Sequence, residues 1–168
     1  MEFNDIVYPT CNADADFAAR LGFKRLLVAG KDVEIRDIDR DKNTNAKDCV
    51  VIGVNKPRLE AAAKSGAIAI SITDQRIDRK LMQTMKERET KLLISFAVLK
   101  ETGGNDRQRT LYMMSKLLRH AVKMRIEVCF ASMARSRLHM LSTMQIIELA
   151  KLIGAEEDAA RKGLKQIG

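Results

Sequence analysis

The feature that most restricts this chain is a repeated alternation of short apolar runs with longer segments of helical period. Asn4 to Tyr8 stops at Pro9, KRLLVA at 24–29 stops at Gly30, and DVEIRDID at 32–39 alternates with period two. CVVIGV at 49–54, AIAISI at 67–72, KLLISFAVL at 91–99 and IEVCFAS at 126–132 follow. Each reads as a strand, giving seven. The last three are nearly continuous apolar runs, the pattern of parallel strands buried on both faces.

Helix-period segments lie between them at Ala13 to Leu21, Pro57 to Lys64, Arg76 to Glu89 and Asp106 to Met124. Pro57 suits a first helical turn, where a missing N–H costs nothing, and Gly66 suits the exit into the next strand. In the longest segment Leu111, Met114, Leu118, Ala121 and Val122 form an apolar stripe, with Arg109, Lys116, Arg119 and Lys123 largely opposite. Ser142 to Ile153 and Glu156 to Gln166 read as two closing helices joined at Gly154. Ser142 or Thr143 would cap the first, and Glu156 and Glu157 suit the first turn of the second.

Strand–helix alternation without a GxGxxG or Walker loop predicts a parallel α/β protein with no obvious nucleotide site. The regular succession fits a trimmed, TIM-barrel-like (β/α) barrel better than an open doubly wound sheet. With 168 residues the chain has room for one domain, taken as 1–168. Lys31 to Lys47 is too short for a helix and two loops. A β-hairpin-like shortcut, or a loop replacing helices, is expected there.

The charge has a sign and a place. Thirty Lys and Arg face 22 Asp and Glu, a formal charge of +8, which favours polyanionic partners such as RNA, DNA or an acidic protein surface. Residues 100–140 hold nine basic and three acidic side chains, so most of the surplus sits in that stretch. No run approaches the roughly 20 apolar residues of a bilayer span. The N-terminus lacks the regions of a signal peptide, so a cytoplasmic location is expected. Cys11, Cys49 and Cys129 are widely spaced and odd in number, and read as buried thiols.

On a barrel the loops leaving the strands form the binding rim. Here they hold Asn55 and Lys56, Thr73 to Arg76, Lys100 to Arg109, and Met133 to Arg137. The catalytic kit is thin. His120 sits in the long helix and His139 beyond a basic loop, without HxH or HExxH, so neither a catalytic nor a metal-binding residue is assigned. Asp74 and Asp78 read as capping or salt-bridging groups ahead of an acid pair. The loop TGGNDRQR at 102–109 combines two glycines with Arg107 and Arg109 at a helix start, where a cation is unfavourable unless an anion answers it. ARSR at 134–137 offers arginine forks that match phosphate oxygens. Lys100, Arg107, Arg109, Arg135 and Arg137, helped by Lys56, Arg76 and Arg79, are the expected phosphate contacts. Two tyrosines and no tryptophan predict no aromatic platform for single-stranded bases, which favours duplex or structured RNA.

The C-terminal part resembles archaeal ribonuclease P protein component 3. The resemblance runs from Asp78 through KLLISFAVL, TGGNDRQR, the long basic helix, IEVCFASMARSR at 126–137 and STMQIIELAKLIGAEEDAARKGL at 142–164, in that order. It covers residues 49–168, while 1–48 agree mainly in layout. Where the family places Arg and Pro in a Glu-Leu-Arg-Ser-Pro segment, this chain has Leu141 and Thr143 around Ser142.

The resemblance implies a barrel subunit of a ribonucleoprotein endonuclease that removes the 5′ leader of precursor transfer RNA. It also implies that catalysis belongs to magnesium ions held by the RNA, with no cofactor on the protein. The implied partners are ribonuclease P RNA, a small ferredoxin-like protein subunit and the other subunits, with precursor transfer RNA as the substrate of the complex. Two other readings of the residues remain. One is a barrel phosphoesterase or amidohydrolase relative using Asp74, Asp78 and His139; the other is a module whose basic helix binds an acidic protein.

Overall fold

The computed structural model describes residues 3–41 and 45–165. The chain divides into two compact units, each gathered from separate stretches: Met1–Val33, Ser95–Tyr112 and Cys129–Gly168 form the first, and Glu34–Ile94 and Met113–Val128 the second.

The first unit opens with a parallel strand pair, β1 (Asn4–Val7) and β2 (Arg25–Val28), joined through helix α1 (Ala15–Arg20). Asp14 caps α1 by accepting from the Phe17 N–H at 2.8 Å, one of the donors a helix start leaves unpaired. The chain leaves α1 through Gly22 at φ +86°, and a Cβ there would lie 2.5 Å from Thr143 Oγ1. Only glycine meets both demands. Near the C-terminus come α6 (Thr143–Leu152) and α7 (Glu157–Lys165), packed on each other. Ser142 caps α6 in a reciprocal box with Gln145, and Gly154 turns the chain at φ +106°.

The second unit carries β3 (Ile35–Asp37), β4 (Val50–Gly53), α2 (Lys56–Lys64), β5 (Ala69–Ile72), α3 (Arg79–Glu87) and β6 (Lys91–Ser95). A parallel five-stranded sheet runs in the order β3-β4-β5-β6-β7, with β7 at Val128–Ala131. Val51, Ile70 and Leu92 from the sheet and Leu59, Leu81, Met82 and Met85 from α2 and α3 are fully buried. They form the core that strand–helix alternation demands. Gly53 is required by closeness: a Cβ would lie 2.5 Å from Ile38 Cγ2. The long helix α5 spans Gly104–Met124.

All seven expected strands are present among the described residues, each parallel to its neighbour. Two local expectations are corrected. The run 91–99 is not one strand: β6 ends at Ser95 and helix α4 (Ala97–Glu101) begins. Phe96 takes helical φ/ψ and Ser95 Oγ accepts the Ala97 N–H, a change invisible in a uniformly apolar run. Val122 is 63% exposed, and Leu117 takes its place in the buried stripe beside Met114, Leu118 and Ala121.

Within 31–47 the described residues form turns and loop around β3, as the second of the two alternatives expects. β3 pairs in parallel with β4 from Ile35–Val50 to Asp37–Ile52, and part of the connection, 42–44, lies outside the described residues. Arginines hold what is described of that loop: Arg36 donates to Glu34 and to the Asn45 carbonyl, and Arg58 donates to the Asp41 carbonyl.

Candidate nucleic-acid interface

In the first unit the segment leaving β7 is fixed before it reaches its arginines. Met133 takes a left-handed φ of +50°, a conformation non-glycine residues hold only when their surroundings require it. The turn lets Ala134 bridge in parallel to Val7 and accept the Tyr8 N–H at 2.9 Å. Thr10 Oγ1 donates to the Arg135 carbonyl at 2.9 Å. Arg135 then lays its guanidinium 5.2 Å from the centroid of the Tyr8 ring.

The two arginines of ARSR have different employment. Arg137 Nε donates to the Asn12 carbonyl at 2.6 Å, its Nη2 pairs with Asp14 at 2.9 Å, and its guanidinium lies over the Phe17 ring. The Asp14 carboxyl is held below its ordinary range by the Phe17 N–H first and by Arg137 as well. Arg137 thus pins the start of α1. Arg135 is exposed and, among the described residues, its guanidinium has no hydrogen-bonding or ionic partner.

Beneath this segment lies a carboxyl that sequence reasoning passed over. Asp5 in β1 is fully buried; it accepts from Ser132 N at 2.7 Å, from Ile6 N at 2.9 Å, and from the Ser132 hydroxyl. Burial pushes its pKa up to about 7, against the lowering influence of those hydrogen bonds. The group ties β1 to the residue that follows β7. An acidic residue inside a short, mostly buried strand is the available signal.

Lys100 and Arg107 meet along a largely apolar groove of about 650 Å³, whose lining includes Phe96, Leu99, Leu111, Leu141 and Leu149. Arg107 is partly occupied: Nε and Nη2 both donate to the Thr102 carbonyl, at 3.1 and 2.8 Å. Because Thr102 ends α4, this cation at a helix start answers a carbonyl at the preceding helix end, a structural reason for its presence. Arg109 is exposed and has no partner among the described residues. Leu141 and Thr143 also find a use. Leu141 is 4% exposed and lines the groove, and Thr143 supplies an N–H to the Leu21 carbonyl at 2.9 Å that a proline could not.

In the second unit Asp74 collects two of the expected cations. Lys56 Nζ lies 2.5 Å from Asp74 Oδ1, with only 18% of the lysine side chain exposed, and Arg76 approaches Oδ2 at 3.9 Å while 73% exposed. Arg79 is exposed at the first turn of α3, where Asp78 caps the helix by accepting the Leu81 N–H. Asp74 and Asp78 therefore serve an ion pair and a cap. Sequence reasoning left Lys116, Arg119 and Lys123 of α5 out of the site, yet all three are exposed at spacings of three and four, along one helix face. Among the described residues, no group of three or more His, Cys, Asp or Glu could hold a metal ion, and no helix is long and apolar enough to cross a membrane.

The sequence matches no protein-family model and no curated protein. Its fold does match solved structures. A chain of a cryo-EM structure of archaeal ribonuclease P with mature tRNA superposes with a TM-score of 0.67 at 15% identity, over 98% of this chain and 78% of that one. A. niger ochratoxinase gives a TM-score of 0.54 at 14% identity, over 76% of this chain and 31% of that enzyme. At such identities the likeness is one of fold, and the chain is built like a chain of an archaeal ribonuclease P assembly.

Proposed function

We propose that this chain is a protein subunit of ribonuclease P that binds the catalytic RNA and supports removal of the 5′ leader from precursor transfer RNA. The observation that carries the proposal is the fold shared over 98% of its length with a chain of the archaeal complex. The surplus of positive charge agrees with it, as do the exposed Arg109 and Arg135, which have no hydrogen-bonding or ionic partner among the described residues. In this reading 1–168 is one (β/α) barrel-like domain working in the cytoplasm. The phosphodiester chemistry and its magnesium ions reside on the RNA, and the polypeptide neutralises phosphates and holds the RNA in its active fold. A ferredoxin-like subunit, the other protein subunits and precursor transfer RNA complete the partners.

In this reading Arg109, Arg135, Lys100 and Arg79 are the cations left for phosphate, Arg107 and Arg76 are partly engaged, and Lys56 and Arg137 serve mainly in ion pairs. Filter binding tests the choice of polyanion. The protein should retain labelled precursor transfer RNA or ribonuclease P RNA at about 50 mM salt, and polyglutamate in excess should not displace it. Displacement by polyglutamate at matched charge would favour the acidic-protein reading and reject this one.

A further inference from the structure

Arg135 and Tyr8 have a relation that phosphate neutralisation leaves unexplained. A cation meant only for phosphate needs no planar support, and flexible Lys or Arg side chains serve that purpose on most surfaces. Here the guanidinium carbon lies over the Tyr8 ring, 5.2 Å from its centroid. The ring and the arginine are each fixed through the backbone, Tyr8 by its N–H to the Ala134 carbonyl and Arg135 by its carbonyl to Thr10. The left-handed turn at Met133 sets that register. The side chain is exposed and its in-plane donors are unpartnered among the described residues. Three residues on, Leu138 is 88% exposed and adds an apolar surface to the same loop.

A guanidinium carried over an aromatic ring and open to solvent on its far side offers a planar cationic surface on which a base can stack. Unpaired bases in RNA are commonly taken up on aromatic rings or arginine planes, while the arginine's in-plane N–H groups reach a flanking phosphate. Resting on the RNA-binding reading, we propose that Tyr8 and Arg135 form a platform for one unpaired RNA base, which stacks on the outer face of the Arg135 guanidinium. Such a platform is an arginine carried over one tyrosine, which differs from the aromatic platform that two tyrosines and no tryptophan were expected not to build.

The test uses three hairpin RNAs of one stem sequence: fully paired, with a single bulged adenine, and with an abasic bulge. The wild-type protein should bind the adenine bulge roughly tenfold more tightly than the other two, the scale of one stacked base. Arg135→Lys keeps the charge and removes the plane. It should erase that preference while leaving affinity for the paired hairpin and the salt dependence unchanged. Tyr8→Phe should keep the preference. Equal binding of all three RNAs by the wild type, or a preference that survives Arg135→Lys, would overturn the platform and leave RNA binding standing. Failure to bind any of the three would overturn the RNA-binding reading as well.

Discussion

Raising the pH from about 4 to about 7 should cost the wild-type protein stability that an Asp5→Asn variant keeps. Asp5 is buried with a pKa near 7, against 3.8 for an ordinary aspartate. Below pH 4 the folded and unfolded chains both hold the proton. Between pH 4 and 7 the unfolded chain has released it and the folded chain retains it, so the unfolded state binds fewer protons and stability falls as pH rises. The slope is about 1.4 kcal/mol per pH unit and the loss ends near pH 7, at roughly 4 kcal/mol in all. Asparagine keeps an acceptor for the Ser132 and Ile6 N–H groups and carries no charge to bury. Urea unfolding at pH 5 and pH 8 should show a midpoint drop in the wild type that the variant lacks. Asp5→Leu, which strands the Ser132 and Ile6 donors, should be destabilised at both pH values by roughly 2–5 kcal/mol. Identical pH dependence in wild type and Asp5→Asn would show that Asp5 is ionised in the fold.

Changing Arg107 and Arg109 together to Ala should weaken RNA binding and flatten its dependence on salt. Removing one arginine–phosphate ion pair reduces the slope of log affinity against log salt by roughly 0.7–0.9, and removing two reduces it by roughly 1.4–1.8. The structure divides the effect unequally. Arg109 is exposed and unpartnered among the described residues, and Arg107 holds the Thr102 carbonyl with two of its donors. Arg109→Ala alone should account for the larger share. Titrations at several salt concentrations read the slope directly. A slope unchanged in the double variant would remove this loop from the interface.

Much of the fold was legible because burial writes itself into the sequence. β5, with Ala69–Ile72 buried at every position, and β7, with Cys129–Ala131 buried, announce strands covered on both sides. Pro57 and Ser142 stand where a first turn and a cap require them. Where the signal failed, a tertiary cause had overridden it. KLLISFAVL stays apolar across the step from β6 into α4, since Leu92–Ile94, Phe96 and Leu99 on either side of it are buried. The site was legible as a set of cations and not as a division of labour. Nothing local in ARSR separates Arg137, committed to Asp14 and Asn12 over 120 residues away, from Arg135, left free over Tyr8. Those partners meet only because β1 and the exit of β7 are joined through Val7 and Ala134.

Reconstituted cleavage tests the central claim most directly. Ribonuclease P RNA with its other protein subunits should be assembled with and without this chain, and 5′-leader removal from precursor transfer RNA followed at physiological magnesium. Addition of the chain should raise cleavage at low magnesium, with the gain shrinking at high magnesium as cations replace protein in screening the RNA. Equal cleavage with and without the chain across the magnesium range would contradict its place in that assembly.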